Sequence, residues 1–232
     1  KRSEKALSYN VQQVGGDDVT AIKDANFVNS LSGKVAGLNI NSSSAGIGGA
    51  SKVVMRGNKS IEQSSNALYV IDGVPMYNFG DAGGTEFDSQ GSSEGIADMN
   101  PEDIESVSVL TGAAAAALYG SDAANGAIVI TTKSGQEGKT SVTFSANMEM
   151  MTPFILPKFQ DRYGTSEGYK SWGSLLNEAN YMGYNPRDDY FQRGGMATES
   201  VSISTGTDKN QTYLSASAVN STGIIPNNKY NR

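Results

Sequence analysis

The sequence predicts an α+β fold in two parts: a small mixed domain with short helices on a twisted sheet, followed by antiparallel β-strands. Three observations carry this. Through residue 135, brief apolar runs of strand formers alternate with helix-capping signals and Gly-rich turns. From about residue 139 the pattern changes to strict period-2 alternation. Hydrophobic residues make up only 38% of the chain and glycine is abundant at 27, a balance that favours strands, turns and polar loops over long helices.

The elements follow in order. Leu7-Ser-Tyr9-Asn-Val11-Gln-Gln-Val14 alternates and predicts a short strand. Asn26 is a helix N-cap for Phe27-VNSLSGKV, because Phe27, Leu31 and Val35 recur at i, i+4, i+8 on one face. Gly37 stands where a helix C-terminal glycine belongs, and Leu38-Asn-Ile40 leaves extended. After a Gly/Ser loop, Lys52-VVMRG predicts a strand, as does Ala67-LYVI; Asp72-Gly73 closes the latter as a turn, and Val74-Pro75 leads away. Residues 77–96 form a long loop without periodicity. Asn100 caps a brief helix with Pro101 at its first position and Glu102-Asp103 as first-turn acids. Glu105-SVSVL is a strand, Ala113–Tyr119 a small tightly packed helix, and Ala127-IVITTK a buried strand ended by Ser134-Gly135.

In the second part, Ser141-VTFSANMEM150 places Val142, Phe144, Ala146, Met148 and Met150 on one face and polar residues on the other. Residues 152–196 are irregular and aromatic-rich, with Tyr163, Tyr169, Trp172, Tyr181, Tyr184, Tyr190 and Phe191. Two more alternating strands, Glu199-SVSIST and Gln211-TYLSASAV, flank a Gly206–Asn210 hairpin turn. Ten alternating residues suit a tilted membrane strand and equally an ordinary half-buried sheet.

Composition excludes several functions. With 18 basic against 24 acidic residues and no basic stripe, nucleic acid is not an expected partner. The chain has no His and no Cys, so it lacks the usual general base, the usual nucleophile activator, and thiolate metal sites. No stretch approaches the roughly 18 apolar residues of a spanning helix. The chain opens without a signal-peptide pattern, as expected either of a protein that stays inside the cell or of an internal piece of a processed precursor, and its ragged ending suits a truncation.

Four segments, in order, carry a family likeness: Leu31-SGKVAGLNI40, Val54-MRG57, Ala67-LYVIDGVP75 and Ile104-ESVSVLTGAAAAALYGSDAANGAIVITTKSG135. They resemble the plug of SusC/RagA-type TonB-dependent outer-membrane receptors. The resemblance implies a plug domain over 1–138 and the start of a truncated transmembrane β-barrel over 139–232, with about three strands and long loops. It implies residence in the outer membrane of a Gram-negative bacterium, with the plug inside the barrel lumen and lipid against the barrel part. The implied partners are TonB, acting through a segment upstream of this chain, a SusD-like surface lipoprotein, and a glycan or peptide ligand. The implied role is conformational gating, with no catalysis and no cofactor. Structural roles in the plug fall on Arg56, Gly57, Asp72, Gly73, Pro75, Glu105 and Gly120, with Glu105 as a possible partner of Arg56.

The chemical motifs are weighed against this. Gly91-Ser-Ser93-Glu-Gly95 matches the nucleophile-elbow pattern, but no histidine exists to activate Ser93. Gly46-Ile-Gly48-Gly49 lacks the spacing and the Lys-Ser/Thr end of a phosphate loop. Asp81, Glu86, Asp88 and Glu94 match no EF-hand spacing and read as solvated loop charges rather than a calcium site. Tyr77, Asn78, Phe79, Asp81, Glu86, Phe87 and Asp88 are the ligand- or partner-facing candidates; the aromatics among them either stack on sugar rings or pin the loop. Two other classes stand beside the gate: a stand-alone surface carbohydrate-binding or adhesion module, and a carboxylate hydrolase using Asp81 and Asp88.

Overall fold

The computed structural model describes residues 11–21, 23–42, 47–59, 65–76, 95–156, 160, 162–168, 170, 172–177 and 189–232. Seven described strands build the first part: β1 (Val11–Gly15), β2 (Leu38–Ser42), β3 (Ser51–Met55), β4 (Leu68–Ile71), β5 (Val74–Met76), β6 (Ile104–Leu110) and β7 (Ala127–Thr132). Five of them form a mixed sheet in the order β1-β6-β7-β4-β5, in which only β4 and β7 pair in parallel. The central strands are apolar on both sides because both sides are covered. Tyr69, Val107, Val109, Ile128 and Ile130 face one cluster, with Phe27, Val28, Leu31, Val35 and Val53. Leu68, Val70, Leu110 and Ala127 face the other, beneath α2 (Gly112–Tyr119). Small residues let α2 approach closely: Ala115 is fully buried, and a Cβ added at Gly112 would stand 2.7 Å from the Ala124 carbonyl oxygen.

The described part of the first strand starts at Val11, and residues 7–10 of the expected strand lie outside the described residues. The strand gives way to α1 (Gly16–Thr20), a five-residue helix whose Gly-Asp-Asp start carries no periodic signal. Asn26 caps as expected, its Oδ1 accepting from Val28 N–H at 3.2 Å, but the helix is a single 3-10 turn over Phe27–Leu31. Ser32 is already extended, and Val35 reaches the core from the turn beyond. Val74-Pro75 does not lead away. Asp72 (φ 48°) and Gly73 (φ 87°) reverse the chain in a two-residue hairpin, and β5 returns along β4 with Val70 opposite Pro75. Two consecutive positive φ angles give the turn the twist that a tight hairpin needs. Pro75 lacks an N–H and is tolerated because β5 is the sheet edge.

The second part is a four-stranded antiparallel sheet, here called the wall, in the order β11-β10-β9-β8: β8 (Ser141–Met151), β9 (Gly194–Gly206), β10 (Gln211–Thr222) and β11 (Lys229–Asn231). The first three match the expected alternating strands, with β9 beginning five residues earlier than Glu199. The fourth is additional: three residues of Lys-Tyr-Asn offer no alternation to find. The wall's polarity is inverted. Val142, Phe144, Met148 and Met150 are 68%, 71%, 80% and 77% exposed, and Val201, Ile203 and Leu214 lie beside them on the same outward face. The opposite face, with Ser145, Ser200, Ser202, Ser215 and Ser217, turns towards the mixed domain. An ordinary half-buried sheet would bury the first set and expose the second.

Candidate functional site

The mixed domain meets the wall through side chains from both parts. The Pro101–Asp103 turn is placed by Asn100, whose Oδ1 accepts from Glu102 N–H at 3.2 Å, and by a bond from Lys133 N–H to the Asp103 carbonyl at 2.7 Å. Its two acids diverge to two strands. The Glu102 carboxylate accepts from the Ser145 hydroxyl on β8 at 3.0 Å and pairs with the Lys23 ammonium at 2.7 Å. Lys23 also donates to the Ser145 hydroxyl, which closes a triangle. Asp103 accepts from Tyr213 OH at 2.9 Å and from the Ser215 hydroxyl at 2.7 Å, both on β10. The Lys23 and Glu102 side chains are only 11% and 17% exposed, so the pair is shielded from solvent. Burial by itself raises the Glu102 carboxyl. The hydrogen bonds from Lys23 and Ser145 and the charges of Lys23 and Lys133 outweigh it, and the group titrates below its ordinary value of 4.5.

These polar contacts occupy the half of the wall nearer the Gly206–Asn210 turn. The other half carries an apolar contact: Ala25 and Ile47 of the mixed domain pack with Met151, Met196, Val219 and Tyr230. Gly48 adopts φ +75°, and a Cβ there would stand 2.4 Å from the Tyr230 ring, so only glycine fits that approach. Arg232 donates to the Ala97 carbonyl and, at 3.4 Å, to that of Met99.

The residues singled out from sequence are distributed unevenly. The ligand-facing candidates Tyr77, Asn78, Phe79, Asp81, Glu86, Phe87 and Asp88, together with Ser93 and Glu94, lie outside the described residues. Asp72 shapes its turn and also braces the sheet. Its carboxylate accepts from Thr132 N–H at 2.9 Å and Thr132 Oγ1 at 2.7 Å, tying the hairpin to β7. Gly57 (φ 90°) and Gly120 (φ 81°) hold left-handed turns after β3 and α2. Arg56 (φ 57°) is exposed at the end of β3, and Glu105 is exposed at a bulge in the β6–β7 pairing. No ion pair joins the two among the described residues, so the possible Arg56–Glu105 partnership is not formed; the bulge and the strand end leave each charge in solvent. Of the second aromatic group, Tyr163 and Trp172 tilt together at 5.6 Å, and Tyr190 meets Phe191 edge-on at 5.1 Å. Among the described residues no group of three or more acids is placed to hold a metal ion.

In the sequence, Glu102 and Asp103 are legible only as first-turn acids. The signal that points further is that a one-turn helix has little dipole to satisfy, while three strands downstream present Ser, Thr and Tyr at every second position.

Comparison with known proteins agrees with this architecture. Residues 3–127, more than half of the chain, match the family model of the TonB-dependent receptor plug domain. The chain is 31% identical over 236 residues to the TonB-dependent receptor SusC of Bacteroides thetaiotaomicron, covering 97% of this chain and 22% of that protein. It is 26% identical to the TonB-dependent receptor P39 of Formosa agariphila, covering 96% of this chain and 21% of that protein. The chain thus spans about a fifth of the length of these curated relatives. In fold it is similar to the RagAB peptide transporter, at TM-score 0.70 and 24% identity over 95% of this chain and 27% of that one. It is also similar to a ferric enterobactin receptor of Pseudomonas aeruginosa, at TM-score 0.58 and 17% identity over 93% and 25%. These relatives are receptors and transporters rather than enzymes. The chain belongs to the TonB-dependent receptor plug domain family, of the SusC/RagA type, and continues past the plug into antiparallel strands.

Proposed function

We propose that the chain is the gate of an outer-membrane nutrient importer together with the first strands of the barrel that the gate blocks. The inverted wall carries this reading: an apolar face turned away from the protein suits lipid, and a hydroxyl face turned inward suits a wet lumen filled by a plug. The boundary falls at 138/139, in the stretch between β7 and β8, with a plug over 1–138 and barrel from 139 onward. The importer sits in the outer membrane of a Gram-negative bacterium, takes a glycan or a peptide, and works with a SusD-like surface lipoprotein. TonB acts through a segment upstream of this chain. The loop residues Tyr77, Asn78, Phe79, Asp81, Glu86, Phe87 and Asp88 face ligand or partner, and Arg56, Gly57, Asp72, Gly73, Pro75, Glu105 and Gly120 serve the plug's shape. The chain gates and performs no catalysis, which the absence of histidine supports.

The test is removal of the plug from the full-length receptor in planar bilayers. Deleting residues 11–138 is expected to turn a silent protein into a large open pore while the barrel stays in the membrane. A deletion that leaves the receptor silent, or a parent that conducts freely, overturns the reading.

A further inference from the structure

We propose that the Pro101–Asp103 turn is the catch of this gate: the Glu102 and Asp103 carboxylates, with Lys23 beside them, hold the plug against the wall at rest and let go when the passage opens. The inference rests on the gating reading above.

Neighbouring residues of one turn reach strands two apart, Ser145 on β8 and Tyr213 and Ser215 on β10, a span of about 10 Å at ordinary strand spacing. The turn thereby fixes the plug in two directions along the wall. It is also rigidly joined to the plug's sheet. Asp103 runs directly into β6, and its carbonyl receives the N–H of Lys133 at the end of β7. No displacement of β6 and β7 relative to the wall leaves these contacts in place.

The chemistry of the partners suits a contact made to be broken. Among the described residues every wall partner of the two acids is a hydroxyl, and a carboxylate that loses one can take a water hydrogen bond in its place. The wall strand between, β9, presents Ser200 and Ser202 level with Ser145 and Ser215, so a shifted carboxylate meets another hydroxyl within one strand spacing. Lys23 travels with the plug and remains paired to Glu102 after release, so opening does not break that ion pair. The apolar contact of Ile47 and Tyr230 has no such exchange available, since parting it exposes hydrocarbon to water.

The experiment uses the full-length receptor in its membrane. Glu102→Ala with Asp103→Ala is expected to raise the resting leak about tenfold or more, the shift that follows from losing one strong charge-assisted hydrogen bond. Glu102→Cys with Ser145→Cys, in a chain that has no cysteine, allows a short cleavable bis-thiol linker across the catch. Import should stop on linking and return on cleavage. An unchanged leak in the double alanine variant overturns the holding role, and import that continues under the linker overturns the release. A parent receptor that already leaks overturns the gate reading instead, so the two failures are distinguishable.

Discussion

The two sheets of this chain follow opposite rules. In the five-stranded sheet Val70, Val107, Ile128 and Ile130 are fully buried, and both faces have apolar cover. In the wall most of the large apolar side chains are exposed, and the inner face is mainly hydroxyl, apart from the patch of Met151, Met196 and Val219. Alternation alone states that a strand has two faces; it does not state which one is inside. That is decided by what each face meets, and over half of the wall the inner neighbour is a polar turn rather than a hydrophobic layer. The same kind of substitution should therefore act oppositely in the two regions.

The largest effect is expected on the wall's outer face. Phe144→Arg with Met148→Arg places two charges in the middle of the apolar band, at about 2–4 kcal/mol each if that band faces lipid. Outer-membrane assembly of the full receptor, read by heat-modifiable mobility, should fall sharply. Normal assembly would break the contrast, because an exposed face in water tolerates arginine.

A comparable loss is expected from hydrocarbon removed inside the plug. Ile130→Ala empties a fully buried position and should cost about 2–4 kcal/mol. Hydrogen exchange should speed up in β4, β6 and β7 while β8–β10 stay protected. Equal loosening of both sheets would mean that they unfold as one unit.

This contrast bears on what sequence can reveal. Ala67–Ile71 and Ala127–Thr132 are readable because strands buried on both faces leave unbroken apolar runs, and Asp72-Gly73 because few dipeptides suit that turn. The helix at Phe27 is shorter than its pattern predicts: the i, i+4, i+8 spacing is real, but Gly33 at φ +76° lets Val35 reach the core from a turn. The return of β5 is hidden because proline suggests departure, and only the edge position removes that objection. The acids are hidden for another reason. Ser145, Tyr213 and Ser215 lie 43, 110 and 112 residues from their partners, and no local pattern encodes a pairing across that distance.

The junction between the regions should respond on a smaller scale. Gly48→Val puts a branched side chain where the Tyr230 ring already lies, at a φ that valine disfavours, and should cost about 1–3 kcal/mol. Both sheets should keep their own protection patterns, while plug and wall separate more readily on denaturant titration of the full receptor. Adding Tyr230→Ala should recover the steric part of the loss and leave the backbone part. No recovery would place the whole penalty in the backbone and remove Tyr230 from the contact.

The smallest effect is a pH dependence confined to the polar half of the junction. Glu102 titrates below its ordinary value of 4.5 when the plug is docked, because Lys23 and Ser145 hold the charged form against the opposing effect of burial. A group whose value is lowered on folding binds fewer protons in the folded state, so its contribution to folded stability is complete above about pH 4.5 and disappears as pH falls through the lowered value. With Glu102 protonated, the ion pair to Lys23 is lost while the bond from Ser145 can reorganise, so the change should be small. Local stability of the turn, followed by exchange of the Asp103 and Ile104 amides in the full receptor, should weaken on acidification in the parent. Glu102→Gln should flatten that share of the response and lower the protection of those amides at neutral pH to near the parent's acid level. The core of β6 and β7 carries no such group and should show no parallel change over the same range. If the variant kept the parent's full pH response, the acid sensitivity would belong to another carboxylate, and the polar half of the junction would be no more charge-dependent than the apolar half.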